Sequence, residues 1–417
     1  MSPALLHAAA VRERAGAYAA TIHHNPPVPA PDRPLVSQVM GNRRLRIGVL
    51  FGGRSAEHEV SILSARNVIA ALDPDRFEAV PIGIARDGRW LLQPTQRLLR
   101  DKGDPRLARI DAAGPDVSLV APADSAARSA VGKLDAIFPV LHGTQGEDGA
   151  MQGLLELAGI PYVGAGVLGS AVGMDKDVMK RLLRDAGIPV ARFMVVRRSD
   201  FRRDPAAMLR QIESFGCPLF IKPANLGSSV GISRVISHGQ LLGALETAFG
   251  YDLKAVVEEA VAGREIECSV LGNDVPVASI PGEIVVTHAD GFYSYDAKYL
   301  DDYGTTLKIP APLHDATTRQ VQQLALDTFR TLECSGLARV DFFLRHDGQL
   351  LVNEINTLPG FTAISMYPKL WAASGMAPQE LVARLIELAI ERHEHRSGLR
   401  SVFSLRTARS ERPLQAL

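Results

Sequence analysis

Apolar runs of strand length, broken by glycine, proline and aspartate, mark out most of the chain. The clearest pair is Ala338–Leu344 and Leu350–Asn356, separated by Arg345-His346-Asp347-Gly348. Asp-Gly between two apolar runs is the strongest short-range hairpin signal, because a type I′ turn needs positive φ at both central residues. With Asp347-Gly348 as a two-residue loop, Asp341 falls opposite Glu354 and Arg339 opposite Asn356. Period-2 alternation puts all four on one face. Directly opposed carboxylates repel. A divalent cation between them would turn that cost into a site. Asp, Glu and Asn supply the hard oxygens that Mg²⁺ prefers, with phosphate and water completing the shell. A solvated hairpin face is the plainer alternative. The depletion of Asp and Glu in strands argues against it, as do the apolar flanks.

Upstream, strand runs again alternate with glycine turns. Leu45–Phe51 is apolar apart from Arg46 and reads as a buried strand. Gly52-Gly53-Arg54-Ser55-Ala56-Glu57 leads it into a helix expected over Ser61–Ala71, the opening of a βα unit. Glu57 lies in that turn, at the carboxyl end of a strand, where open α/β sheets meet ligands. A charge at a helix N-terminus is its alternative role. Phe77–Ile84 is a further strand, and residues 94–130 show no period. Leu134–Leu141 is another buried strand, ending in His142-Gly143-Thr144-Gln145-Gly146-Glu147. The place of His142, at a strand end beside glycines, favours ligand contact as much as a structural role.

From Asp175 the pattern changes. Asp175–Lys180 starts a helix that ends at Gly187, a strand pair follows, and Phe220–Pro223 closes another strand. The next stretch, Ala224–Ile232, is a loop rich in glycine and serine. Its backbone N–H groups and hydroxyls suit phosphate oxygens, with Lys222 and Lys176 as point charges. It lacks the G-x-x-x-x-G-K-[ST] pattern and no helix follows, so it is not a P-loop; an ordinary hairpin loop remains the alternative. Ala255–Ala260 and Gly263–Val270 are strands. Glu258 and Glu265 on them either bind ribose hydroxyls or an amino group, or are solvated edge charges. A long polar stretch from Phe292 to Lys308 reads as a lid over a site. Leu313–Leu332 is a long helix. Beyond the hairpin, Asn356–Thr362 turns the chain into a helix near Ser365. A final amphipathic helix runs from Ala377 to about Arg392, with Leu381, Leu385 and Leu388 on one face.

Composition narrows the classes. The 417 residues are 46% apolar and 22% charged, enough for two or three globular domains. Lys+Arg and Asp+Glu are both 46, so nothing points to nucleic acid or an anionic membrane as partner. Cys217, Cys268 and Cys334 are scattered and match no metal or redox spacing, which fits a reducing cytoplasm. The longest uncharged stretch, Leu157–Met174, carries Pro161 and five glycines and reads as loops and tight packing, not a membrane span. No basic region precedes an apolar core at the N-terminus, so no secretory signal is expected. Residues 1–42 form a proline-rich, flexible extension. Met40, just before the first strand, is an alternative start. Residues 395–417 read as a disordered, arginine-rich tail.

Several of these stretches, in order, carry a resemblance. They are Gly52-Gly53, Ser55–Ser61, Leu141-His142-Gly143, Met174-Asp175-Lys176, Ile221-Lys222-Pro223, Gly227–Gly231, Lys298-Tyr299, Arg339-Val340-Asp341 and Asn353–Gly360. The ordered set resembles the D-alanine–D-alanine ligases of the ATP-grasp superfamily, over roughly Arg46 to Glu391. The resemblance implies an α/β (α+β) ATP-grasp fold behind an N-terminal parallel-sheet domain. Residues 43–150 would be that substrate domain, 151–270 a central subdomain and 271–394 a C-terminal subdomain with the Mg²⁺ site. ATP would phosphorylate one D-alanine carboxylate, and the amine of a second D-alanine would attack the acyl phosphate. Asp341, Glu354 and Asn356 would hold two Mg²⁺, with Mn²⁺ as a substitute. Lys176, Lys222, Ser229 and Lys298 would contact ATP, and Glu258 and Glu265 its adenine-ribose. Arg339 would stabilise the oxyanion. Glu57 would take the first ammonium in a network with Ser228 and Tyr299, with His142 near that substrate's carboxylate. Gly360 and Ser365 would receive the second carboxylate, beside Met366, where some members carry leucine. Lys298-Tyr299 looks like the dipeptide-forming lid; D-lactate or D-serine as second substrate is the alternative. A cytoplasmic homodimer serving peptidoglycan synthesis is also implied.

Overall fold

The computed structural model describes residues 43–100, 109–120, 130–286 and 305–400. Its first strand, β1 (Leu45–Gly52), is buried almost throughout, as a central strand covered on both faces must be. From it α1 (His58–Ala71) crosses back to β2 (Phe77–Ile84), parallel to β1. Next, β3 (Trp90–Leu92) joins the edge antiparallel to β2, and α2 (Thr95–Arg100) follows. Last in this sheet, β4 (Ala136–Pro139) pairs parallel with the other side of β1, giving the order β3-β2-β1-β4. With β2 and β4 on either side of β1, the strand order reverses there. The loops leaving β1 and β4 therefore open side by side at the carboxyl ends, where such sheets bind ligands. The first helix starts at His58 rather than Ser61, because Glu57 takes the N-cap position.

Three helices lead away: α3 (Ala150–Leu157), α4 (Val167–Met174) and α5 (Lys176–Asp185). The uncharged stretch between Leu157 and Met174 is thus a helix end, a loop that bridges Tyr162 to Ile137, and a short helix. The second sheet begins with β5 (Phe193–Arg197), followed by α6 (Arg198–Arg203) and α7 (Pro205–Glu213). It is completed by β6 (Leu219–Pro223), β7 (Ser233–Val235), α8 (Leu241–Phe249) and β8 (Lys254–Glu259). The order is β5-β8-β6-β7, all antiparallel. Where a strand pair was expected before Phe220, one strand and two helices occur. Asp204 caps α7 by accepting from the Ala207 N–H at 2.9 Å, and Pro205 takes the first turn. That Asp-Pro start signal is visible in the sequence.

The third sheet takes β9 (Gly263–Gly272), β10 (Val277–Ala278), β11 (Gly282–Val286) and β12 (Thr305–Lys308). After α9 (Asp315–Thr331) come β13 (Gly336–Arg345) and β14 (Leu350–Asn356), then α10 (Met366–Ala373) and α11 (Pro378–Ser397). The order is β12-β11-β9-β13-β14, with β10 beside β9. The expected domain boundary at 270/271 falls inside β9, whose whole length pairs with β13. The two sheets divide instead at residues 260–262, between β8 and β9. Leu381, Leu385 and Leu388 of α11 are buried as their spacing requires, and one core joins Ile47 and Phe138 of the first sheet to Trp371 and Leu385. The last helix continues to Ser397, so residues 395–397 are helical rather than tail. The expected extension over 1–42 and the tail beyond residue 400 lie outside the described residues. Among the described residues no helix is long and apolar enough to cross a membrane. All three cysteines are free thiols, Cys217 exposed and Cys268 and Cys334 buried.

Candidate active site

The β13–β14 hairpin sets the first group of side chains. Arg345 N–H donates to Gln349 O at 2.9 Å and Gly348 N–H to Arg345 O at 3.0 Å. The loop is therefore three residues, His346–Gly348, with Gly348 at φ +85°, the type I turn closed by a left-handed residue that is common in such hairpins. The expected two-residue loop is not formed, and Leu344 faces Leu350 and Phe342 faces Val352. A bulge at Asn353 then absorbs one residue, so that Asp341 faces Glu354 and Arg339 faces Asn356. The longer loop and the bulge cancel, and the expected pairs are restored at the site. On the other side of β13, β9 places Glu267 directly opposite Asp341. Three carboxylates thus lie in a row across three strands.

Cations neutralise this row. The Arg339 guanidinium forks onto Asp341, with Nε 2.7 Å from Oδ1 and Nη2 2.7 Å from Oδ2, and its Nε is also 2.9 Å from Glu267 Oε2. Asn356 Nδ2 donates to Asp341 Oδ2 at 3.0 Å, and Lys176 Nζ lies 3.4 Å from Glu354 Oε2. The donors here are all oxygens except for one reversible amide, the set that suits a hard divalent cation. Among the described residues no three His, Cys, Asp or Glu groups cage an ion by themselves. An ion here would draw on Asn356 and on phosphate oxygens as well.

Beside the hairpin lies a cavity of about 360 Å³, lined by Lys176, Lys222, Ser229, Glu258, Glu265 and Asp341 among others. Lys176 opens α5, and its Nζ donates to Leu226 O at 2.8 Å, tying the helix to the glycine-serine loop. In that loop Ser228 and Ser229 adopt φ of +52° and +58°, a conformation that costs an L-residue energy and gathers at ligand sites. Lys222 and Glu258 lie on one face of β6 and β8. The Glu258 carboxylate is buried, with Lys180 Nζ 2.9 Å from Oε1 and Lys222 Nζ 2.9 Å from Oε2. Burial alone would raise its pKa, but the two ammonium groups outweigh it and hold the carboxyl below the ordinary range. Burial in turn pushes the Lys180 pKa down against the pull of Glu258.

A second, smaller cavity of about 110 Å³ is lined by Glu57, His142, Ser228, Arg339, Ser365 and Met366 among others, and reaches Asn356 and Gly360. Glu354 and Glu267 line both cavities, so the two meet at the hairpin. Glu57 accepts a hydrogen bond from the Ser228 hydroxyl, joining the first sheet to the glycine-serine loop. His142 is buried, with Nε2 3.2 Å from Ser64 Oγ and Nδ1 3.2 Å from Leu358 O and 3.7 Å from Glu147 Oε1. Burial disfavours the imidazolium. Glu147 and the charge of Glu57 outweigh it and keep the proton on His142 to higher pH than usual. Ser365 Oγ accepts from the Thr362 N–H at 3.0 Å and closes the turn after Gly360. On α1, Ser64 and Asn67 brace the same turn, Ser64 Oγ accepting from the Phe361 N–H and Asn67 donating to Phe361 O.

Of the expected site residues, Lys298 and Tyr299 lie outside the described residues, and all the others line one or both cavities. Sequence reasoning passed over Glu267, Lys180 and Glu147. Glu267 follows Glu265 at period 2 on one strand face, and Lys180 follows Lys176 by one helical turn. Both spacings are legible once the elements are known.

An N-terminal sheet, parallel but for its β3 edge, and two further sheets around the paired cavities make up an ATP-grasp fold. The family model for the D-ala D-ala ligase N-terminus matches residues 46–165, and that for the C-terminus matches residues 182–387. The D-alanine–D-alanine ligase of Shouchella clausii is 48% identical over 362 residues, 85% of this chain and 97% of the relative. D-alanine–D-alanine ligase A of Chromobacterium violaceum is 50% identical over 356 residues, 84% and 96% of the two chains. The solved D-alanine–D-alanine ligase of Coxiella burnetii superposes with a TM-score of 0.71 at 41% identity, covering 85% of this chain and 96% of that one. The chain belongs to the D-alanine–D-alanine ligase family and is a ligase.

Proposed function

We propose that the protein joins two D-alanine molecules into D-alanyl-D-alanine at the expense of ATP. The observation that carries this reading is the meeting of two cavities at Glu354 and Glu267, one cradled by lysines and the other by Glu57, His142 and Arg339. Lys176 and Lys222 hold the nucleotide phosphates, with the Ser229 loop over them and Glu265 toward the ribose. Glu258, expected at the adenine-ribose with Glu265, instead positions Lys222, since its Oε2 faces Lys222 and its Oε1 faces Lys180. Asp341, Glu354 and Asn356 would hold divalent cation, Mg²⁺ foremost and Mn²⁺ as a substitute, two ions in all, which would neutralise phosphate charge. Glu57, steadied by Ser228, takes the first D-alanine's ammonium, and His142 faces its carboxylate.

That carboxylate oxygen attacks the γ-phosphorus and ADP leaves. The amine of the second D-alanine, its own carboxylate on the Gly360–Ser365 turn, attacks the acyl carbon. Arg339 faces the oxyanion so formed, and collapse of that intermediate breaks the bond to phosphate. Most of the catalysis is positioning and charge neutralisation. A homodimer in a bacterial cytoplasm, supplying peptidoglycan synthesis, completes the reading.

The test is phosphate release with ATP and Mg²⁺, comparing D-alanine alone, D-alanine with D-lactate, and L-alanine, with products identified by mass. Dipeptide from D-alanine alone is expected. Release only with another acceptor would overturn the second-substrate assignment. In the same assay Glu354→Ala is expected to fall to about one-thousandth of wild-type turnover while unfolding at a similar temperature; near-normal turnover would remove the metal role.

A further inference from the structure

Glu267 has no part in the reading above, yet it is buried, borders both cavities and sits where a third carboxylate is costly. It is 4% exposed, directly across the ladder from Asp341, with Glu354 on Asp341's far side. Opposed like charges destabilise a sheet, so the row persists because something uses it. That something is Arg339, which lies between the two acids: its fork takes both oxygens of Asp341, while its Nε is also 2.9 Å from Glu267 Oε2. A guanidinium Nε carries a single hydrogen. In the present arrangement the fork to Asp341 uses it.

A cation bound by Asp341 and Arg339 forked onto Asp341 compete for the same oxygens. If Asp341 were the only acid near Arg339, every cation bound would strand a guanidinium in a half-buried cleft, or cation binding would be resisted. We propose that Glu267 is a positioning residue that receives the Arg339 Nε–H when Asp341 turns to the cation. The guanidinium then stays in the cleft, its Nη groups aimed at the developing oxyanion, and Asp341 is released to the metal. This rests on the ligase reading of the site.

The test uses Glu267→Gln, which keeps size and removes charge, in the wild-type and Arg339→Gln backgrounds. Two quantities are read: Mn²⁺ affinity of the protein–ADP complex, from the electron paramagnetic resonance signal of free Mn²⁺, and kcat with KM for ATP. In the wild-type background Glu267→Gln is expected to weaken Mn²⁺ binding and lower kcat by about tenfold each, with KM for ATP within about twofold. In the Arg339→Gln background the same change should cost less than about twofold, because the residue it acts through is gone. Glu267→Asp, the second variant should Glu267→Gln fail to fold, is expected to keep part of both.

An equal loss of Mn²⁺ affinity in the two backgrounds would make Glu267 a direct ligand and overturn the proposal. Unchanged kcat and Mn²⁺ affinity in Glu267→Gln would overturn it as well. Wild-type turnover of D-alanine in the same series separates the two readings. If wild type makes dipeptide, any failure belongs to Glu267 alone. If it does not, the ligase reading fails and the positioning proposal fails with it.

Discussion

At His142, burial and charge act in opposite directions, and the outcome sets a pH response. The imidazole is buried, which favours the neutral ring, but Glu147 and Glu57 surround it with negative charge and raise its pKa. A raised folded pKa means the stabilisation is complete below the unfolded value of about 6.5 and is lost as pH rises through the folded value. The stability difference between wild type and His142→Gln, from chemical denaturation, should therefore be larger near pH 6 than near pH 9. A difference that is flat or grows with pH would place a neutral histidine there. The sequence showed His142 at a strand end beside glycines and left its role open. Ser64 and Leu358, which bond its ring nitrogens, come from two other segments, and no spacing could reveal them, whereas Glu147 lies in the same loop.

The β13–β14 hairpin bears on the element scale. Asp-Gly signalled the turn, and apolar alternation signalled both strands. The loop nevertheless has three residues, and the facing of Asp341 to Glu354 is kept only by the bulge at Asn353. A hairpin's register follows its buried face as much as its turn. Phe342, Leu344, Leu350 and Val352 pack into the core beside α9, while the site face must still turn outward beyond them. Gly348 sits at φ +85° with open space where a Cβ would be. Replacing it with alanine should cost about 1 kcal/mol of stability, all of it conformational. Urea denaturation checks this, and turnover should be unchanged because the loop is far along the strands from Asp341. A loss of activity with no loss of stability would show that the loop reports to the site.

For the whole molecule, the C-terminal helix is the tie. Arg392 on α11 donates to Tyr162 O at 2.9 Å, to Ser335 Oγ at 2.6 Å and to Gly164 O, and its guanidinium lies 4.5 Å over the Tyr162 ring. It thereby joins the last helix to the loop after α3 and to the start of β13. Arg392→Ala would leave two carbonyls without their charged donor, and should lower stability by about 3 kcal/mol. Thermal unfolding would read this as a clear drop in Tm, with kcat near wild type; an unchanged Tm would show that the contacts add nothing. Local features were legible in the sequence alone: the first strands and the hairpin, the glycine turns, the lysines before a donor-rich loop, and the oxygen-bearing side chains on one hairpin face. All of these depend on periodicity and turn preference within a few residues, which a linear reading can see. The tertiary structure decided the long-range pairings: that Glu267 stands against Asp341, that Glu258 divides itself between Lys180 and Lys222, and that Ser228 reaches Glu57. Those pairings join segments far apart in the chain, brought together by burial of apolar surface that is blind to which polar groups it carries along.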